Sequence, residues 1–287
     1  MKDYIVFTDS ACDLSNEMLK ERGVYSLPLT FRFEYGKEYK DKEIHPSDFY
    51  ARIREGQVAK TAAVNPSEFI IEFEKLVKRG YDILYLGFSS VLSTTYNSAR
   101  VAADAVLHKY PRRKIITVDT LCASAGVALL IDLILKRKED GASITEAAEY
   151  AEQIKHKICH WFTVDDLEYL KRGGRISPSA AFFGNMLGIK PILQVDNAGM
   201  LVNKQRVRGR RTAIQLLAEK CACDIDRSFP AIAYISHADC ESDAFELKRI
   251  LKEQYGINTD LITNVGAVIG AHSGPGTLAL FFVGEER

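Results

Sequence analysis

The sequence predicts an α/β protein of two closely packed domains, a parallel-sheet domain over residues 1–157 and a mixed α/β domain over 158–287. Three observations predict this. Through the first half, apolar runs of strand length alternate with segments of helical period, which argues for a parallel sheet covered on both faces. In the second half a hairpin interrupts the alternation, and a hairpin inside an α/β pattern calls for a mixed sheet. The chain's 287 residues and 47% apolar content leave ample material for two cores.

The first strand is "YIVFT" (4–8), followed by the turn "DSACDLS", a short helix and the extended "VYSLPLTF" (24–31). Asn65, Pro66 and Glu68 form a cap, because Asn65 can accept an orphan N–H, Pro66 suits the first turn and Glu68 can reach back. That helix runs to Arg79. "YDILYLG" (81–87) reads as a buried strand and leads into the hydroxyl-rich turn "FSSVLSTTYNSA" (88–99). Val101, Ala102, Ala105 and Val106 then keep a helical period over 99–110. "KIITVD" (114–119) is a strand, and the apolar helix after it is closed by Gly141; Ser143 and Glu146 cap another helix reaching to about residue 157.

In the second half "ICHWFTV" (158–164) is a strand and "DDLEYLKRGG" a short helix closed by glycines. "PSAAFFGNMLG" (178–188) is apolar almost all round. A hairpin follows, with strands 190–195 and 200–204 about the turn Asp196-Asn197-Ala198-Gly199. Helix 208–223, strand "AIAYISH", helix 241–255, strand "NTDLIT" and strand "TLALFFV" complete the chain, without an internal repeat.

Composition narrows the function. Lys plus Arg equals Asp plus Glu at 38 each, so the chain lacks the electrostatic footprint of a nucleic-acid binder. The apolar run at the start is too short for a secretory signal, and no stretch approaches the roughly 18–20 apolar residues of a membrane span. A soluble, cytoplasmic protein is expected. Six scattered cysteines without paired CxxC spacing suit reduced, partly buried thiols. Cys221 with Cys223, or His156 with His160, supplies only half of a structural zinc set, so no metal site is expected.

The turn at 88–98 carries the chemistry. Where a parallel strand feeds a helix, the first N–H groups point outward with partial positive charge. Ser89, Ser90, Ser93, Thr94, Thr95 and Ser98 would let a carboxylate or phosphate approach and would donate further hydrogen bonds. Two other readings stand beside this one: hydroxyls that cap their own helix, and a catalytic serine. "GFSSV" has Val91 where a nucleophile elbow needs glycine. Asp9 and Asp13 either bind a cation or cap the next helix. "LKRGGRIS" (170–177) and "KQRVRGRR" (204–211) are basic clusters, solvated faces or sites for an acidic or phosphorylated partner. Gly270, Gly274 and Gly276 predict a backbone loop able to pass close to a ligand, with His272 in it as the histidine best placed for a site.

Taken together, "TDSACDLS", "KTAAVNPSEF", "SSVLSTTYNSA", "VDTLCASAG", "DDLEYLKRGGRIS", "KPILQVD", "VRGRR" and "GAVIGAHSGPGTLALFF" resemble, in order, the DegV family of bacterial fatty-acid-binding proteins. The resemblance implies two α/β domains, an acyl chain in a tunnel of the second domain, and no catalysis or cofactor of the protein's own. It implies a partner, a dihydroxyacetone-kinase-like fatty-acid kinase that phosphorylates the presented carboxylate for phospholipid metabolism, with at most transient membrane-surface contact. Thr61, on a loop between elements, and Ser93 match positions that hydrogen-bond the carboxylate, with the Thr94 N–H close by and His272 near the head group. Arg172 and Arg208 match positions of the kinase encounter. One departure stands out: the family's usual S-G-T-Y here reads Ser93-Thr94-Thr95-Tyr96, so a Cβ at position 94 narrows the approach or demands a less permissive backbone angle.

An acyl chain of sixteen to eighteen carbons, at about 0.8 kcal/mol per buried CH₂, offers well over 10 kcal/mol of gross burial before the costs of binding. "AAFFGNMLGI" and "LALFF" are candidate tunnel linings. The carboxylate in such a dry setting needs donors, which the Ser/Thr turn supplies. The alternative is an enzyme, a serine-type hydrolase or phosphotransferase using Ser93 with His272; the sequence has no Walker-type loop or S-x-x-K stretch to support it.

Overall fold

The computed structural model describes residues 4–34, 36–177 and 188–287. Strands β1 (Tyr4–Asp9), β2 (Tyr25–Leu27), β6 (Asp82–Gly87) and β7 (Ile115–Asp119) form a parallel sheet in the order β2-β1-β6-β7. The two central strands, β1 and β6, are buried at every residue, which is why they read as unbroken apolar runs. Helices α3 (Pro66–Lys78) and α4 (Thr95–Lys109) pack together beside β6, and α5 (Ala125–Glu139) and α6 (Ile144–Ile154) also contact it. Capping boxes at Asn65/Glu68 and Ser143/Glu146 start α3 and α6.

The second sheet runs β10-β9-β8-β13-β11-β12 and is mixed. It comprises β8 (Ile158–Thr163), β9 (Ile189–Val195), β10 (Leu201–Arg208), β11 (Ile232–His237), β12 (Asn258–Asn264) and β13 (Leu278–Val283). Neighbours are antiparallel except β11 and β12, which are parallel. Alternation gives the sheet two apolar faces. Trp161, Leu278, Leu280 and Phe282 share a core with residues of helices α8 (Arg210–Asp224) and α9 (Glu241–Tyr255). Phe162, Tyr234, Ala279 and Phe281 join the cluster that contains most of α5. Because α5 touches β6 as well as β8, β11 and β13, it forms a layer shared by both sheets, and so is apolar almost all round.

A third layer differs from the sequence expectation. Strands β3 (Thr30–Phe33), β4 (Glu38–Lys40) and β5 (Ala59–Ala62) form a small antiparallel sheet, order β4-β3-β5, with helix α2 (Pro46–Arg54) between β4 and β5 in the chain. Strands of three or four residues are too short to show a period. Thr61, expected on a loop, therefore sits on β5, directly opposite Phe31. The expected glycine-rich loop is in part helix α10 (Ala267–Ser273), which packs against α2, β3 and β5 and carries His272 in its last turn. Helix α4 begins at Thr95 rather than Ala99, so its first turn is part of the hydroxyl-rich segment. Two short helices, α1 (Asn16–Glu21) and α7 (Glu168–Arg172), are the remaining α-helices among the described residues. Asp13 does not cap α1; Ser15 does. Apart from Gly188, the apolar stretch 178–188 lies outside the described residues. Among the described residues no helix is long and apolar enough to cross a membrane.

Candidate functional site

A cavity of about 440 Å³ lies between the hydroxyl-rich turn, α10, α7 and the inner face of the second sheet. That volume is within the usual range for a small-molecule site. Its lining comes from both sides of residue 158 rather than from the second half alone, with Leu29, Thr61, Phe88 and Ser93 on one side and Phe162, Val268, His272 and Phe281 on the other. Of "LALFF", Ala279 and Phe281 line it, whereas Leu278, Leu280 and Phe282 face the opposite core.

The mouth is built from the β6–α4 turn. Ser89 is fully buried and donates to the Gly199 carbonyl at 3.1 Å, docking the β9–β10 hairpin turn. The Ser90 N–H donates to Asp119 Oδ1 at 3.1 Å. These bonds fix the turn and leave the Ser90, Ser93 and Thr94 side chains on the cavity wall. Ser93 Oγ lies 2.9 Å from Thr95 Oγ1 and accepts from the Thr95 N–H at 3.3 Å, so it also helps cap α4. Thr94 occupies φ −76°, ψ −1°, ordinary right-handed backbone, and the departure from glycine at this position needs no strained angle.

Across the mouth, Thr61 Oγ1 and His272 Nε2 are 2.8 Å apart. Burial first, then the charges of Arg175 and Arg172, lowers the His272 pKa to about 4, so the ring is neutral at pH 7. A neutral ring with its proton on Nε2 donates to Thr61 and frees the Thr61 O–H for an anion. Gly173 makes room for this ring: a Cβ there would lie 2.2 Å from His272 Nδ1. Arg175 lines the same wall, donates from Nε to the Leu92 carbonyl at 3.1 Å, and also bonds the Gly173 carbonyl. It ties the hydroxyl-rich turn to the α7 corner and keeps a positive charge near the mouth.

The cavity's inner wall has a different chemistry. Ser124 and Ser236 line it, with their Oγ atoms 2.8 Å apart, and Ser124 Oγ also donates to Asp13 Oδ2. Asp13 Oδ1 accepts the Gly266 N–H at 2.9 Å, and burial pushes this carboxyl up to about 7. Ser124 holds φ 54°, a conformation that costs a residue with a Cβ on the order of 1–3 kcal/mol. His160, 1% exposed, is a second histidine of the lining besides His272. Its Nδ1 lies 2.8 Å from the Ile158 carbonyl and its Nε2 accepts the Ala123 N–H at 3.2 Å, so both nitrogens are committed.

Arg172 and Arg208 are not brought into the cavity. Both are exposed, Arg172 over the Tyr169 ring at 5.0 Å and Arg208 at the end of β10. Among the described residues no hydrogen bond joins Ser93 to His272, since Ser93 is engaged with Thr95 and His272 with Thr61. The nucleophile–base contact that the enzyme reading requires is missing. Among the described residues there is no cluster of three or more potential metal ligands.

A protein-family model described as an uncharacterised protein of the DegV family matches residues 4–285. The chain belongs to the DegV family. A DegV domain-containing protein of Clostridium perfringens is 42% identical to it over 290 residues, covering 100% of this chain and 99% of the relative. A solved structure of a hypothetical protein from Thermotoga maritima, described as revealing fatty acid binding function, is similar at TM-score 0.84 and 30% identity over 98% of this chain and 99% of that one. A stearic-acid-binding protein from Eubacterium ventriosum is similar at TM-score 0.88 and 27% identity, over 97% and 98% of the two chains.

Within this DegV fold, Gly174, Arg175, His160 and the Ser124–Ser236 pair line the cavity and Gly173 seats the His272 ring, roles that sequence reasoning did not assign. Both glycines and Arg175 belong to the basic stretch 170–177, where only the packed turn and the His272 ring separate Arg175 from the exposed Arg172 and give Gly173 its role. His160 carried one available signal: it sits on an alternating strand with Phe162, so the two share a face.

Proposed function

We propose that this DegV protein binds a long-chain fatty acid and presents its carboxylate to a separate fatty-acid kinase for acyl-phosphate formation, without catalysis of its own. The observation that carries the reading is the donor array at the mouth of an otherwise largely apolar cavity: Thr61 backed by His272, Ser93, and the N-terminus of α4 at Thr94. A carboxylate there gains charge-assisted hydrogen bonds while the chain lies against Phe162, Leu170, Val268 and Phe281. The solved relatives described as fatty-acid binders support the ligand class. The exposed Arg172 and Arg208 would face the kinase. The division into domains 1–157 and 158–287 belongs to the same proposal, supported by each large sheet drawing its strands from one side of residue 158.

Organic extraction of the purified protein followed by mass spectrometry tests the binding step. A long-chain fatty acid near one per chain is expected. An extract without lipid, together with turnover of esters or nucleotides that vanishes in Ser93→Ala, would replace the carrier by an enzyme.

A further inference from the structure

The inner wall of the cavity is more polar than a plain hydrocarbon tail requires. Among the described residues the Ser273 hydroxyl, 5% exposed and on the cavity lining, has no hydrogen-bond partner. A buried hydroxyl left unpaired carries a desolvation penalty, and a methylene chain passing beside it cannot relieve it. Ser236 lies nearby in the sheet: it pairs with Ala279 on β13, and Ala279 pairs with Phe162 on β8, so the three side chains share the cavity face. Thr277, just before β13, lines the same cavity and donates to the Ser273 carbonyl at 3.0 Å, which places Ser273 beside that row.

The hydrogens can be counted. A serine hydroxyl has one proton, and that of Ser124 is given to Asp13. In the 2.8 Å contact Ser236 must then donate to Ser124, and its own oxygen is left with lone pairs only. Ser236 thus offers an acceptor, and Ser273 offers a donor and an acceptor. If Asp13 is protonated the relay reverses and Ser236 becomes a donor; an alcohol, which both donates and accepts, suits either direction. A carboxylate does not, because it brings only acceptors to the neighbourhood of Asp13.

We propose that Ser236, supported by Ser124 and Asp13, and Ser273 form a station for a hydroxyl carried part-way along the acyl chain, so that hydroxylated long-chain fatty acids are preferred ligands. This rests on the fatty-acid reading and deepens it. The test is calorimetric titration of the delipidated full chain with stearic acid and with stearic acids hydroxylated at carbon ten or carbon twelve. At least one hydroxy acid should bind on the order of five-fold tighter than stearic acid. In Ser236→Ala and in Ser273→Ala, each checked for an unchanged melting transition, that ratio should fall to about one. Stearic acid binding while neither hydroxy acid binds tighter, or a preference that persists in both variants, overturns the station and leaves fatty-acid binding intact. Failure of all three acids to bind overturns the underlying reading as well.

Discussion

At the mouth, the cavity is bounded by hydroxyls, the N-terminus of α4 and a neutral His272 with Arg172 and Arg175 nearby; at the inner wall, its hydroxyls are tethered to the Asp13 carboxyl. Both ends are rich in serine, yet they suit opposite guests. Donors and positive charge favour an anion at the mouth, and an anion at the inner wall would meet a carboxyl that burial already holds near neutrality. On the proposed fatty-acid reading, the contrast predicts the direction in which the ligand enters: carboxylate outward, tail inward.

Four changes sharpen or break that contrast. The largest effect on binding is expected from Thr61→Ala combined with Ser93→Ala. Two hydrogen bonds to a charged group are worth roughly 3–6 kcal/mol together, so affinity should drop by about a hundred-fold or more. Thr61 sits on a strand rather than a loop, but its side chain is only half-buried, so the fold should survive. Unchanged affinity in a fatty-acid titration would remove the mouth from the account.

The second change addresses the inner end. The Asp13 carboxyl is pushed up from 3.8 to about 7, chiefly by burial. The folded protein keeps a proton there that the unfolded chain releases at lower pH. The associated stability is therefore full below about pH 4 and is lost as pH rises towards 7. His272, His160 and His237, whose pKa values are lowered, act in the opposite sense, so the difference between variant and parent is the informative quantity. Asp13→Asn should gain about 3 kcal/mol relative to the parent between pH 5 and pH 8, read from denaturant unfolding at the two values. A difference independent of pH would mean that Asp13 is ionised throughout.

How much of this was legible beforehand differs between the same two ends. The two large sheets, the helices that cover them and the hydroxyl-rich turn follow from local periodicity and caps, and Asn65/Glu68 and Ser143/Glu146 start helices as their spacing demands. The Thr61–His272 contact joins residues 211 positions apart across a sheet too small to announce itself, so only resemblance to a family pointed to it. The inner station was less visible still: "CASAG" and "YISH" carry no sign that Ser124 and Ser236 will face each other through α5 and β11. Close packing hid the remaining detail, because a glycine at 173 is needed for a neighbour's ring and not for its own backbone angle, φ −71°.

That glycine supplies the third change. In Gly173→Ala the new methyl would collide with His272 Nδ1 and displace the ring from Thr61. Affinity for fatty acid should fall about ten-fold, roughly the value of one hydrogen bond to a charged group. An imidazole seen unmoved in a crystal structure of the variant, with affinity intact, would show that the ring does not organise Thr61. The smallest effect on lipid affinity is expected from Arg172→Ala and Arg208→Ala, exposed residues outside the cavity, at less than about two-fold. The same variants should slow acyl-phosphate formation when a fatty-acid kinase is added. Equal rates in the reconstituted reaction would refute a docking role.

The orientation of the bound lipid is the most direct test of all. In a crystal structure of the protein as purified, electron density for a single acyl chain should run inward past Phe162 and Phe281, its carboxylate within hydrogen-bonding distance of Thr61 and Ser93. Density with the carboxylate beside Ser124 and Ser236, or a cavity occupied by protein side chains with no space for a lipid, would contradict it.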